Sequence, residues 1–309
     1  MKLRLGTRGS ELALLQSGLV ADQLRGSHEG LEIELVEIST TGDRVLDRPL
    51  RELGGKGLFV RELDQALLEG RIECAVHSVK DLPSALEQGL VLASVPARES
   101  AVDVLLTRGA RGLDELARGA TVGTTSPRRS ALLKSKRPDL EIVFLRGNLG
   151  TRLDRLRNAE FDATLLAAAG LKRLGLDLGD LCCTPLDPRE FCPAPGQGAL
   201  GVTARSVDGE VRGLLAAVND PYSFEAVGAE RAVSLRLGAS CYSPVAAWAR
   251  HEDGILKVEG TVVSPDGRLV LNEAAQGDPG RAVALGVEVA NGLLARGAAD
   301  IMTSAEAGD

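Results

Sequence analysis

Short apolar, β-branched runs alternate along this chain with stretches whose apolar residues recur three or four positions apart. The first pattern predicts strands at 2–7 (KLRLGT), 31–39 (LEIELVEIS), 72–79 (IECAVHSV) and 90–95 (LVLASV). Helical spacing fills 11–25 and 59–69 between them. The alternation resumes with strands at 102–106 (VDVLL), 141–145 (EIVFL) and 163–168 (ATLLAA), and with helices near 127–134 and 150–158. Strand and helix in turn predict an α/β architecture with mostly parallel sheets. A Pro- and Gly-rich stretch, 183–201 (CTPLDPREFCPAPGQGALG), reads as a connection between lobes. Beyond it the pattern changes: a long helix at 221–237, three alternating strands (VAAWAR, ILKVEGTVVS, RLVLNEAA) and a closing helix over 279–296. Strands gathered together and flanked by helices predict a smaller α+β unit.

The length, 309 residues, exceeds what one core usually sustains and agrees with several domains. There are 36 Lys and Arg against 43 Asp and Glu, a net charge of −7. That balance argues against a nucleic-acid partner, which is held by surplus positive charge. Aromatic residues at 3% leave little for base stacking. No apolar run reaches the roughly 20 residues of a membrane span, and the first residues show no unbroken apolar segment of a signal peptide. Five cysteines without C-x-x-C spacing fit a reducing compartment. The expectation is a cytoplasmic protein without a membrane partner.

Against this acidic background, arginines gather locally. In GTTSPRRSALLKS (123–135), Ser126 and Pro127 match an N-cap followed by proline at the first helical position. Free N–H groups at such a helix start favour an anion, and Arg128 and Arg129 add forked donors suited to carboxylate or phosphate. The plainer alternative is a solvated helix start whose arginines pair with surface acids. LRGNLGTRLDRLR (145–157) repeats the arrangement, with Gly147 and Gly150 in a turn, Thr151 as a possible cap, and Arg146 and Arg152 alongside. Two such helix starts, each after a predicted strand, point to a multivalent anion at the carboxyl ends of the strands.

HSVKDLP (77–83) ends the third strand, placing Lys80 and Asp81 at the same sheet edge. Asp81 there suits a general acid or a counter-charge; a surface Lys-Asp pair is the alternative. His77 and Ser78 point to opposite faces of the strand, which excludes them as a nucleophile–base pair. LGGKGLF (53–59) lacks the Walker A spacing and reads as a lid or a turn. GQGALG (196–201) matches G-x-G-x-x-G but follows a linker and precedes a strand-like VTAR, so no dinucleotide site is assigned. Cys241 lies in a small-residue loop, LGASCYSP (237–244), where a thiol can be reached, whereas Cys74 falls inside an apolar strand. With three scattered histidines, no metal site is expected.

Eight stretches in order (GTRGSELAL, GGKGLFVREL, AVHSVKDLP, GTTSPRRSALL, LRGNLGTRL, AAAGLKRLG, GQGALG and LGASCYSP) resemble the porphobilinogen deaminase family over essentially the whole chain. The resemblance implies two α/β lobes similar to those of periplasmic binding proteins, with parallel or mixed sheets, and a small α+β C-terminal domain. It implies domains at 1–98 with 197–216, at 99–196, and at 217–309. It further implies a dipyrromethane cofactor attached by a thioether to Cys241, with porphobilinogen as substrate. Asp81 matches the catalytic carboxylate. Lys80, Asp81, Ser126, Arg128, Arg129 and Arg152 match cofactor-holding positions; Arg8, Ser10, Arg146, Arg152 and Arg173 match substrate-holding ones. Lys56 and Phe59 match a mobile loop over the site, and the family implies a monomer. The sequence departs from the family's usual pattern at Ala239-Ser240, at Pro127 and at an added proline in CPAPGQG; none of these removes a chemically required side chain. A non-catalytic two-lobe binder of polycarboxylates is the alternative that the arginine clusters alone would also fit.

Overall fold

The computed structural model describes residues 2–44, 57, 59–240 and 242–307. The first sheet is built from β1 (Lys2–Thr7), β2 (Glu32–Glu37), β3 (Cys74–Ser78) and β4 (Leu90–Ser94), with α1 (Glu11–Ser27), α2 (Thr41–Arg44) and α3 (Arg61–Leu68) between strands. A second sheet holds β5 (Asp103–Thr107), β6 (Thr121–Gly123), β7 (Glu141–Val143), β8 (Ala163–Ala167) and β9 (Cys182–Pro185). Its helices are α4 (Pro127–Lys136), α5 (Leu149–Arg157) and α6 (Ala168–Leu174). The chain then returns to the first sheet with β10 (Leu200–Arg205), followed by α7 (Gly209–Leu215).

The strand orders are β2-β1-β3-β10-β4 and β7-β6-β8-β5-β9. Each sheet therefore has the same plan, with its fourth strand reversed: β10 runs antiparallel to β3 and β4, and β5 antiparallel to β8 and β9. The sheets are mixed: four strands of each run the same way, as the alternation predicts, and one is reversed, which it does not predict. The reason is burial. All five residues of β5 and the first five of β10 are buried, so a reversed strand covered on both faces carries the same continuous apolar run as a parallel one. The connection at 183–201 likewise holds more structure than expected, because β9 and the start of β10 lie within it.

The remaining chain forms α8 (Pro221–Leu237), an antiparallel sheet of β11 (Val245–Glu252), β12 (Ile255–Val263) and β13 (Val270–Gly277), then α9 (Ala282–Ala295) and α10 (Ala298–Ala307). Alternating burial along β13 shows one face on the core and one toward solvent. Val233, Val258 and Val289 meet in a core of their own, while the two lobe sheets are covered by separate apolar clusters. Among the described residues no single helix is long and apolar enough to cross a membrane.

Two segments join the lobes, 95–102 and 186–199, and they press backbone against backbone. Gly196 and Gly198 both have positive φ, and a Cβ on Gly198 would lie 2.3 Å from the Glu99 carbonyl oxygen. This close approach accounts for the G-x-G pattern without any nucleotide. The crossing is fastened by Glu230 of α8, which has no solvent exposure. Its Oε1 accepts from Arg98 Nη1 (2.7 Å) and Ala249 N (2.8 Å); its Oε2 accepts from Arg98 Nη2 (3.0 Å) and Gly196 N (2.6 Å). Both connecting segments and the third domain thus meet on one carboxylate. Removing one partner of such a buried pair strands the other charge, at a cost of about 3–5 kcal/mol. Glu230→Ala should therefore lower unfolding stability by about that amount in chemical denaturation; an unchanged midpoint would show that the pair does not hold the crossing.

Candidate active site

Most of the described candidate side chains sit at or near an element terminus. Ser10 caps α1, its Oγ accepting from Ala13 N at 3.4 Å. Ser126 caps α4 as expected, accepting from Arg129 N at 3.4 Å with Pro127 at the first helical position. The cap of α5 is Asn148, not Thr151: its Oδ1 accepts from Thr151 N at 2.8 Å, and the helix begins at Leu149. Asn is at least as good a cap as Thr, and Gly147 at φ +120° turns the chain into it. Lys80 and Asp81 follow β3 in a single 3-10 turn, Val79–Asp81.

Arg128 and Arg129, neighbours on α4, converge on one carboxylate that sequence reasoning did not single out. Asp103 Oδ1 accepts from Arg129 Nε (3.0 Å) and Nη2 (2.7 Å), and Arg128 Nη2 lies 2.8 Å from Oδ2. All three side chains are buried. Burial pushes the Asp103 carboxyl up, but the two guanidinium groups outweigh it and hold it at about 2. Arg129 Nη1 also donates to the Leu165 carbonyl, and Arg128 Nη1 to that of Cys192, each at 2.8 Å. Arg128 Nε is buried without a hydrogen-bond partner among the described residues.

The electrostatics around this pair show excess positive charge. Burial, followed by Arg129, pushes the half-buried Lys80 ammonium down to about 8, against the opposing pull of Asp81 and Asp103. Burial, then Arg129 and Arg146, brings Arg152 down to about 10, with Asp81 opposing. Arg152 Nε is anchored on the Gly147 carbonyl at 2.9 Å. Lys80, Arg128, Arg129 and Arg152 therefore share their surroundings with two carboxylates, Asp81 and Asp103. Such an arrangement is completed by an anion.

Asp81 also borders a cavity with Arg8, Ser10, Gln16, Phe59 and Ser78. The Arg8 guanidinium stacks 4.2 Å from the centre of the Phe59 ring. His77 lines the same cavity; burial, then Arg8 and Arg231, push its imidazole down to about 3, so it is neutral at pH 7. Its Nε2 pairs with Thr203 Oγ1 at 3.0 Å, while Ser78 Oγ donates to Gln16 Oε1 at 3.2 Å, so the two neighbours do separate jobs. Arg173 answers to other groups: it donates to the Gly198 carbonyl at 2.7 Å, burial lowers its pKa, and Glu99 opposes that shift. Lys56 and Cys241 lie outside the described residues. The loop before position 241 is tied to the Asp81 turn, since Ser84 Oγ donates to the Ala239 carbonyl at 3.2 Å. Arg231 of α8 donates to the carbonyls of Pro83 and Ser84 at 3.0 and 3.1 Å. Cys74 and Cys192 are buried, with thiol pKa values raised chiefly by that burial. Among the described residues no group of three or more His, Cys, Asp or Glu could hold a metal ion.

Sequence reasoning missed Asp103, Gln197, Arg98 and Glu230. The one available signal was Asp103 itself, an acid opening the otherwise apolar strand VDVLL.

The chain also matches known proteins. Residues 3–213 match the family model "Porphobilinogen deaminase, dipyromethane cofactor binding domain", and residues 224–295 match "Porphobilinogen deaminase, C-terminal domain". A curated porphobilinogen deaminase from Syntrophobacter fumaroxidans is 45% identical over 300 residues, covering 97% of this chain and 96% of its own. Among solved structures, the periplasmic VFT2 domain of BvgS from Bordetella pertussis aligns with a TM-score of 0.42 and 18% identity, over 71% of this chain and 86% of that one. The substrate-binding protein of an amino acid ABC transporter aligns with a TM-score of 0.39 and 14% identity, over 71% and 91%. By near full-length identity and by both family models, this chain belongs to the porphobilinogen deaminase family.

Proposed function

We infer that this chain is a transferase that makes hydroxymethylbilane, joining four porphobilinogen units with release of ammonia and then hydrolysing the linear tetrapyrrole free. The observation that carries this reading in the structure is the buried excess of positive charge around Asp81 and Asp103. Each pyrrole of the substrate, the cofactor and the product bears an acetate and a propionate, so the polycarboxylate supplies the charge that the site lacks. Hydrogen bonds to charged groups contribute about 1.5–3 kcal/mol each, and guanidinium forks fit carboxylates in pairs.

The residues present fit a dipyrromethane. Arg128 has a buried Nε without a hydrogen-bond partner among the described residues, and Lys80, Ser126, Arg129 and Arg152 lie at or near helix starts and a strand end. When bound, the dipyrromethane supplies the pyrrole carbon to which units are joined. Cys241 is its proposed attachment point by thioether, supported by the Ser84–Ala239 tie between that loop and the Asp81 turn. Arg8, Ser10, Arg146, Arg152 and Arg173 are proposed to hold the substrate and the growing chain, with Phe59 and Lys56 belonging to the loop over the site. Arg173 reaches that role from the lobe crossing, through Gly198.

Asp81 is the proposed catalytic carboxylate. As the C–N bond of the aminomethyl group breaks and ammonia leaves, positive charge develops on the substrate pyrrole. A fixed carboxylate lowers the energy of that charge and accepts the pyrrole N–H. A carbon–carbon bond then forms, and the proton released from the attacking ring carbon leaves with the ammonia as ammonium. The expectation of a cytoplasmic monomer, with neither nucleic acid nor membrane as partner, is part of the same proposal; the acidic charge balance supports its nucleic-acid part.

Intact denaturing mass spectrometry should show an added mass of two linked pyrrole units, absent from Cys241→Ser; a bare polypeptide after incubation with porphobilinogen would leave only a binding protein. Asp81→Asn should reduce turnover by roughly 10²–10⁴-fold, and turnover near that of the wild type would remove Asp81 from the mechanism. Lys80 gives a signed pH effect. Its charge is present below about 8 and lost above it, so calorimetric affinity of the Cys241→Ser protein for porphobilinogen should fall between pH 7 and 9. Lys80→Arg in that background should flatten the fall; an equal fall in both would assign it to another group.

A further inference from the structure

Asp103 opens β5, is 1% exposed, and collects donors from three places. Beyond the contacts from Arg128 and Arg129, its Oδ1 accepts from Gln197 Nε2 at 3.1 Å, and the same amide nitrogen donates to the Ala101 carbonyl at 2.6 Å. Each arginine is thereby pinned at two points. Arg129 spans Asp103 and the Leu165 carbonyl, and Arg128 spans Asp103 and the Cys192 carbonyl. Two fixed points define the plane of a guanidinium group, and the plane decides where its remaining N–H bonds point.

We infer that Asp103 is a positioning residue for the carboxylate site: it sets the planes of Arg128 and Arg129, cancels one of their two charges, and is itself held by Gln197 from the lobe crossing. This rests on the reading of those arginines as holders of the cofactor. It differs in sign from a purely structural role. If Asp103 only offset buried charge, its removal would leave the pocket more positive and a folded variant would capture carboxylates at least as well as before. If Asp103 orients the forks, removal weakens capture despite the added positive charge, because donors that point elsewhere gain nothing from the field.

The test compares wild type, Asp103→Asn, Asp103→Glu and Gln197→Met. The loaded fraction is read by intact denaturing mass, the fold by circular dichroism and unfolding midpoint, and kcat and KM with porphobilinogen. Asp103→Asn is expected to load and turn over roughly tenfold less or worse, the worth of one charge-assisted hydrogen bond. Asp103→Glu should recover part of that loss. Gln197→Met keeps every charge and should raise KM and lower the loaded fraction while the unfolding midpoint stays near that of the wild type. Folded Asp103→Asn that loads as fully as wild type overturns the inference. Should Asp103→Asn not fold, Gln197→Met decides, and wild-type loading and KM in that variant overturn it equally. A wild-type protein without added mass would instead defeat the underlying functional reading, a result visible before any variant is made.

Discussion

The architecture hangs on one carboxylate that water never reaches. Glu230 accepts four hydrogen bonds, from Arg98 in the first connecting segment, Gly196 in the second and Ala249 in β11. An ion buried this deeply is tolerated only when all its lone pairs are occupied, and here they are occupied by the parts that must stay together. The segments it fastens lead straight to the chemistry. The first runs into Asp103, the second carries Gln197, and α8 itself brings Arg231 to the carbonyls behind Asp81. Lobe crossing and site are joined by hydrogen bonds.

Much of this could be read from the sequence, and the failures have physical causes. The helix at 221–237 and the Ser126–Pro127 start fall where periodicity and capping place them, because those signals are local. The direction of β5 and β10 was hidden, since strands buried on both faces look alike whichever way they run. The cap of α5 moved to Asn148 because two residues three positions apart, Asn148 and Thr151, can both cap, and the turn at Gly147 favours the first. At the site, the arginines were legible from their glycine and hydroxyl neighbours. Their partner Asp103 was not, because the contacts span 25 and 26 positions of chain, from Asp103 to Arg128 and Arg129. Arg98 and Glu230 are further apart still, and no local pattern marks a pair like that.

The charge distribution also explains how an acidic chain handles an acidic ligand. The net charge is −7, yet the interior between the strand ends holds Lys80 and Arg152 charged, with burial first and neighbouring arginines second lowering both pKa values. Screening in water weakens the repulsion from the surface acids at a distance, whereas the buried groups act at close range in a less polar medium. Recognition is therefore set by the few groups inside, and the surface is free to keep the protein in solution.

The reversed strands have a consequence for how the chain is made. β4 pairs only with β10 in its sheet, and β10 lies beyond the whole second lobe. A ribosome that has delivered the first hundred residues has therefore delivered a sheet with a gap in it: β3 is paired on one side only, with β1, and β4 has neither side paired within the sheet. The second lobe has no such wait, because its reversed strand β5 comes before the others. Although the amino-terminal lobe is synthesised first, the middle lobe is the first whose five strands are all present on the chain.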